Sequence, residues 1–143
     1  MTAAEASAVV TTRLLAEPAT ETLFEAAFSA DGGSLAWIAR SGPTYELLLA
    51  PVAEPANPTV LRSGSERIDA PAFSPNGLRV AYQVMPKEDW EIHVIGRDGE
   101  NDERITREIQ HDLMPTFLDD DRLLGMMGES RHRRSHIYDL ATK

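Results

Sequence analysis

The side chains of this chain that can do chemistry are four histidines, one arginine cluster and one run of aspartates. His132 and His136 stand four apart, a spacing that gathers two metal ligands on a helix. Their surroundings read as loop and strand, which separates them. His93 alternates with Ile92 and Val94 and reads as a sheet-face residue. His111 lies beside Asp112 in a polar connection, where the choice is between an ordinary loop residue and a contact for a ligand or metal. The stretch "ESRHRRS" (Glu129 to Ser135) is the only basic cluster in the chain. Its ordinary reading is a solvated hairpin tip. Its functional reading is that Arg131, Arg133 and Arg134 hold a carboxylate or phosphate, because planar guanidinium forks match both.

Other candidates carry less. Asp119, Asp120 and Asp121 suggest calcium, but the glycine and glutamate that complete a calcium loop are absent, so the run reads as a turn. "GGSLA" (Gly32 to Ala36) faintly resembles a nucleophile elbow, a motif that needs a strand-to-helix turn. Here Ser34 stands in a hairpin. No HExxH, phosphate-binding loop or dinucleotide fingerprint occurs. Trp37 and Trp90 occupy positions that favour packing over ligand stacking. The expectation is no catalytic residue, no cofactor and no metal ligand set.

The elements that must position these residues follow from a repeat. "FSADGGSLAW" (Phe28 to Trp37), "FSPNGLRVAY" (Phe73 to Tyr82) and "FLDDDRLLGM" (Phe117 to Met126) are three versions of one segment, spaced 45 and 44 positions apart. A fixed period of this size marks a repeat architecture. Each period holds short runs of strand character divided by turn residues. In the second they are Ala70–Ser74, Leu78–Val84, Trp90–Gly96 and Glu103–Arg107. Leu78, Val80, Tyr82 and Val84 fall on one face at a period of two. Asn76-Gly77 and Asp98-Gly99 supply the turns.

Four short antiparallel strands about every 44 residues make a β-propeller blade. We label them A to D from the centre outward. Blade one has A ending at Phe28, then Leu35–Arg40, Tyr45–Val52 and Thr59–Arg62. Blade three has A ending at Phe117, then Arg122–Met127 and His136–Leu140, with no strand D. Val9–Leu15 reads as a strand D without its own A, B and C. The expected fold is all-β, a single half-propeller over residues 1–143 in D-A-B-C phase, with units of about 9–52, 53–97 and 98–143.

Composition bounds the function. The chain has 42% hydrophobic and 26% charged residues, which is globular. It lacks cysteine, which excludes disulfides, thiol catalysis and cysteine metal sites. A net charge of −9 argues against nucleic-acid binding. No apolar run nears the roughly 18 residues of a membrane helix. "MTAAEASAVV" has Glu5 and no basic residue ahead of its apolar run, so it is not a secretory signal as it stands.

The second repeat resembles the WD-like repeat of the TolB family through Phe73, Ser74, Pro75, Gly77, Trp90, Ile92, Val94, Asp98, Gly99, Ile105 and Thr106. The first resembles it through Phe28, Ser29, Asp31 and Gly32. The third keeps Pro115 and Phe117. The resemblance implies a six-bladed ring, of which this chain holds three blades' worth, and relatives that are often periplasmic. Three blades do not close a propeller, so the expected partner is a second copy joined as three plus three, or the remaining blades of a longer chain. The expected function is a non-catalytic module binding a protein segment or small anionic ligand. The expected contacts are Arg67, Asp69, His111, Asp112, Arg131, Arg133 and Arg134, on the face formed by the D–A and B–C loops. The alternatives are the gating propeller of a prolyl-oligopeptidase-like peptidase, a propeller lyase with a histidine-bound metal, and a designed half-propeller without ligand.

Overall fold

A computed structural model of the chain describes residues 22–107 and 109–142. The described elements are eleven strands: β1 (Thr22–Phe28), β2 (Ser34–Ser41), β3 (Thr44–Pro51), β4 (Thr59–Gly64), β5 (Arg67–Phe73), β6 (Arg79–Met85), β7 (Glu91–Gly96), β8 (Glu103–Arg104), β9 (Asp112–Phe117), β10 (Arg122–Met127) and β11 (Arg134–Asp139). They form three antiparallel sheets with strand orders β1-β2-β3-β4, β5-β6-β7-β8 and β9-β10-β11. These are the three expected blades. Val9–Leu15, expected as the closing strand, lies outside the described residues. No helix among the described residues is long and apolar enough to cross a membrane.

The repeated Phe-Ser-x-Asx-Gly segment is a side-chain-stapled hairpin. In blade two the Ser74 and Arg79 backbones bond, Ser74 N–H to Arg79 C=O at 2.9 Å. The Ser74 hydroxyl accepts the Arg79 N–H at 3.0 Å, and Asn76 Oδ1 accepts the Leu78 N–H at 2.9 Å. Gly77 takes φ +71°, the left-handed region that disfavours any Cβ. Blade one repeats the pattern: Ser29 Oγ accepts the Ser34 N–H at 2.9 Å and Asp31 Oδ1 accepts the Gly33 N–H at 2.9 Å. In blade three Leu118 replaces the serine, yet Asp119 Oδ1 still accepts the Asp121 N–H at 3.0 Å. The aspartate run is a turn, as its sequence indicates. Ser34 stands in the blade-one hairpin, where its hydroxyl accepts from the Arg97 guanidinium of blade two at 3.0 Å.

The central strand β6 is buried on both faces. Val80, Tyr82 and Val84 meet Ile38, Leu47, Leu49 and Leu61 of blade one. Ala81 on the opposite face joins Ile92, Val94 and Leu123 of blades two and three. Alternation along one strand therefore supplies both inter-blade cores. The first strands of successive blades touch one another, β1 with β5 and β5 with β9. Each carries a register shift against its neighbour. Ala70 and Met114, at the same repeat position, take φ 51° and 52° there. A β-bulge turns the strand by such a local kink.

Strands β5 and β11 begin three and two residues earlier than expected, at Arg67 and Arg134, and two further boundaries change what is buried. Leu78 precedes β6 and is 59% exposed, because it belongs to the stapled turn and not to the buried face. Strand D of blade two pairs only through Glu103 and Arg104. Beyond them the Ile105 N–H still donates to Ile92 C=O at 2.8 Å, and then a side chain takes over: Thr106 Oγ accepts the Ile92 N–H at 2.9 Å and donates to buried Glu91 at 2.6 Å. The Ile105-Thr106 ending of the second repeat is thus a staple on the blade edge.

The two ends of the stack are unlike. On the far face of blade one, Leu35, Trp37, Ala39, Leu48 and Ala50 form a buried cluster. On blade three, Ile137 is 53% exposed and its cross-strand partner Leu124 half-buried.

Candidate binding site

Antiparallel pairing puts the start of strand A, the B–C turn and the end of strand D at one end of every blade. Backbone bonds stitch these segments across blades two and three. Asp112 N–H donates to Trp90 C=O at 2.8 Å, and Gly128 N–H donates to His111 C=O at 2.9 Å. The β6–β7 turn, the segment before β9 and the β10–β11 turn are thereby held side by side.

His111 is the centre of this cluster. Its Nδ1 accepts the Trp90 backbone N–H at 3.2 Å. Asp89 Oδ1 lies 3.7 Å from Nδ1, and Glu129 Oε2 lies 4.0 Å from Nε2. One ligand atom from each of Asp89, His111 and Glu129 falls within 4.8 Å of the others. Beside them the Arg67 guanidinium sits 5.1 Å from the centre of the Trp90 ring. That contact is a cation–π pair on a buried indole. Asp69 approaches Arg67 at 3.6 Å and accepts the Ala70 N–H at 3.1 Å.

The structure separates the expected contacts into three sets. Arg67, Asp69 and His111 lie together at this end. Asp112 is fully buried, and its Oδ1 accepts the Tyr138 hydroxyl at 2.5 Å. It is not open to the surface. Arg131 and Arg133 in the β10–β11 turn and Arg134 at the start of β11 are exposed, and among the described residues none of the three makes an ion pair. Other guanidiniums do: Arg62 with Glu66 and Asp102, Arg79 with Asp121, Arg104 with Glu91, Arg122 with Asp119. His93 faces Asp102 and Tyr82 inside blade two, the sheet-face place its alternation indicates. Asp89 and Glu129 are additions that the sequence reading did not select. Asp89 lies in a B–C turn, so the face argument that singled out "ESRHRRS" points to it as well.

A cavity of about 430 Å³ lies away from this cluster, between Leu78, Ile95, Arg97 and Leu140. Two of its charged groups are engaged internally. Arg97 donates to Gly77 C=O and Ser34 Oγ, and Asp98 accepts the Glu100 N–H. A smaller one of about 230 Å³ adjoins Asp89, between Pro86, Lys87 and Arg104.

No family model matches the sequence, and no curated protein matches it significantly. Solved structures do match. TolB from Acinetobacter baumannii superposes with a TM-score of 0.74 at 16% identity, over 85% of this chain and 31% of that one. The fold is that of TolB-like β-propeller blades. An oligogalacturonate lyase in complex with manganese gives a TM-score of 0.75 at 14% identity, over 91% of this chain and 42% of that one. A puromycin-hydrolysing peptidase from Mycobacterium tuberculosis gives 0.68 at 23% identity, over 86% of this chain and 21% of that one. The TolB-like blades described here thus span less than half the length of each. Proteins of three kinds share them, so the fold by itself assigns no activity.

Proposed function

We infer that the chain is a non-catalytic recognition module of a propeller ring, and that it binds an anionic group, a carboxylate or phosphate on a small molecule or protein segment. The observation that carries this reading is the trio Arg131, Arg133 and Arg134, exposed and without an ion pair among the described residues of a chain with net charge −9. Arg131 and Arg133 sit on a turn tied to its neighbours through Gly128 and His111, and Arg134 opens the strand that follows. A backbone-anchored turn and the strand after it carry the three guanidiniums, whose planar forks suit carboxylate and phosphate. The test is calorimetric titration with citrate and with inorganic phosphate at rising salt. Binding is expected to weaken steeply with salt. Replacing all three arginines by glutamine is expected to cost about 1.5 kcal/mol for each guanidinium engaged. Affinity indifferent to both changes refutes the reading.

The ring is completed by a second copy as three plus three blades or by further blades of a longer chain. Support comes from blade three, whose described part has three strands and whose Ile137, Leu118 and Met114 are exposed. Open sheet faces and edges invite such association. Light scattering over a dilution series is expected to give a stable mass near twice 15.8 kDa for a self-completed ring. A constant monomer mass rules out the self-completed form and leaves the longer chain.

The likeness to the Mycobacterium tuberculosis peptidase favours one second reading, a propeller that gates a hydrolase domain. Such a domain in the same reading frame decides for it.

A further inference from the structure

We propose that Asp89, His111 and Glu129 form a divalent transition-metal site, with Zn²⁺ the ion that fits its donor set. The site uses none of the three arginines, so it stands or falls apart from the anion reading.

The donors are one imidazole nitrogen and two carboxylates, with ligand atoms within 4.8 Å of one another. Neighbouring donors in a tetrahedral zinc site with bonds near 2.0–2.1 Å are about 3.4 Å apart. Glu129 Oε2 approaches Nε2 at 4.0 Å, a few tenths of an ångström wider, while Asp89 Oδ1 stands 3.7 Å from the other ring nitrogen, Nδ1. With Nε2 as the ligand atom, rotation of the Asp89 side chain has to bring its carboxylate round to the ion. The two carboxylates bring a charge that a divalent cation neutralises, and imidazole with carboxylate is a donor mix zinc accepts.

The backbones that carry the donors are fixed. Trp90, next to Asp89, accepts the Asp112 N–H through its C=O at 2.8 Å. His111 C=O accepts the Gly128 N–H at 2.9 Å, and Glu129 C=O accepts the His132 N–H at 2.8 Å. Gly128 takes φ 111°, and a Cβ there would meet His132 O at 2.8 Å, so this turn requires glycine to bring Glu129 round. Glutamate 129 is 64% exposed and Asp89 37% at the side chain. The rim position leaves a fourth coordination place for water or an incoming anionic ligand.

Protons balance as follows. With Nδ1 accepting the Trp90 N–H, the neutral ring carries its proton on Nε2, toward Glu129. Zinc at Nε2 requires the proton on Nδ1 instead. Nδ1 then no longer accepts the Trp90 N–H, and the metal–nitrogen bond at Nε2 has to outweigh that loss; the ring stays neutral.

The test is titration of the full chain with Zn²⁺ against a competing chelator, and with Co²⁺ followed by its visible absorption. We expect one ion per chain at micromolar affinity, and for Co²⁺ the intense bands of a four-coordinate N/O set. His111→Ala is expected to weaken zinc at least tenfold. Glu129→Gln changes only an exposed side chain, so it reports even where His111→Ala does not fold, and it is expected to weaken zinc several-fold. His132→Ala with His136→Ala is expected to leave the affinity unchanged. Absence of stoichiometric zinc in the parent chain overturns the proposal. So does equal binding by Glu129→Gln, or loss of binding in the His132/His136 variant.

Discussion

Replacing Leu123 by alanine is expected to destabilise the chain by about 2–5 kcal/mol. Leu123 is fully buried and packs with Ala81, Ile92 and Val94, with Phe117 and Tyr138 at the margin. The void cannot relax easily. On the same strand Gly125 lies so close that a Cβ would stand 2.7 Å from Ile92 Cδ1 and 3.0 Å from the Tyr138 ring. Strand and wall are already at contact distance, so the space left by three carbons stays largely open. Against a typical total of about 5–15 kcal/mol, the loss is a large fraction. Blade three carries Glu129 and the arginine trio, so zinc and anion binding should weaken as that blade loosens. Leu118, 45% exposed, is the control, and its alanine variant should stay within about 0.5 kcal/mol of the parent. Urea midpoints measure both. A Leu123→Ala cost below about 1 kcal/mol would mean that blades two and three do not share a packed core.

Asp102→Ala is expected to cost about 2–3 kcal/mol, the lower side of what breaking a buried ionic network costs, because its members keep partial solvent contact. Asp102 gathers three donors from two blades. Tyr82 OH donates to it at 2.5 Å, Arg62 of blade one at 2.6 Å, and His93 lies 3.3 Å away. The tyrosine is fully buried. Its hydroxyl and the Arg62 guanidinium lose an acceptor when the carboxylate goes, and an unsatisfied buried donor costs more than the bond it had made. Burial of Asp102 works to raise its pKa, and the hydrogen bonds from His93, Tyr82 and Arg62 outweigh it, holding the carboxyl down to about 2. Burial first, then the Asp102 carboxylate, pushes the Tyr82 phenol upward, so it stays a donor at every working pH.

The sign of the pH effect follows. An aspartate with a depressed folded pKa contributes stability that is complete above its unfolded value near 3.9 and fades as pH falls toward 2. After allowance for solvent screening the contribution is about 1 kcal/mol. Stability measured between pH 5 and pH 2 should therefore show the gap between the parent and Asp102→Asn narrowing with acid. A gap that stays constant through that range sinks this account of the network.

The sequence by itself determined the blades, and it did so because the repeat is made of local devices. Ser74, Asn76 and Gly77 close a hairpin within six residues, and the same types recur at Ser29, Asp31 and Gly32. Strands that alternate at a period of two then bury both faces, which Val80, Ala81 and Tyr82 announce by being apolar in succession. The same fact explains why the signature says little about activity, since its serines, asparagine and threonine are engaged in turns and blade edges.

The site was legible only in part. The loop face could be deduced from strand order, and it led to His111 and the arginine trio. Which side chain of an adjacent pair turns outward could not be deduced. His111 and Asp112 are neighbours, yet only the tertiary structure sends Asp112 inward, where the Tyr138 hydroxyl meets it from another strand. Asp89, His111 and Glu129 are likewise scattered over 40 positions and three separate turns. No spacing rule links them, because their proximity comes from the packing of blade two on blade three. Local hydrogen bonds fix what a short stretch becomes; the distance between stretches is fixed by burial of apolar faces, which only the folded chain resolves.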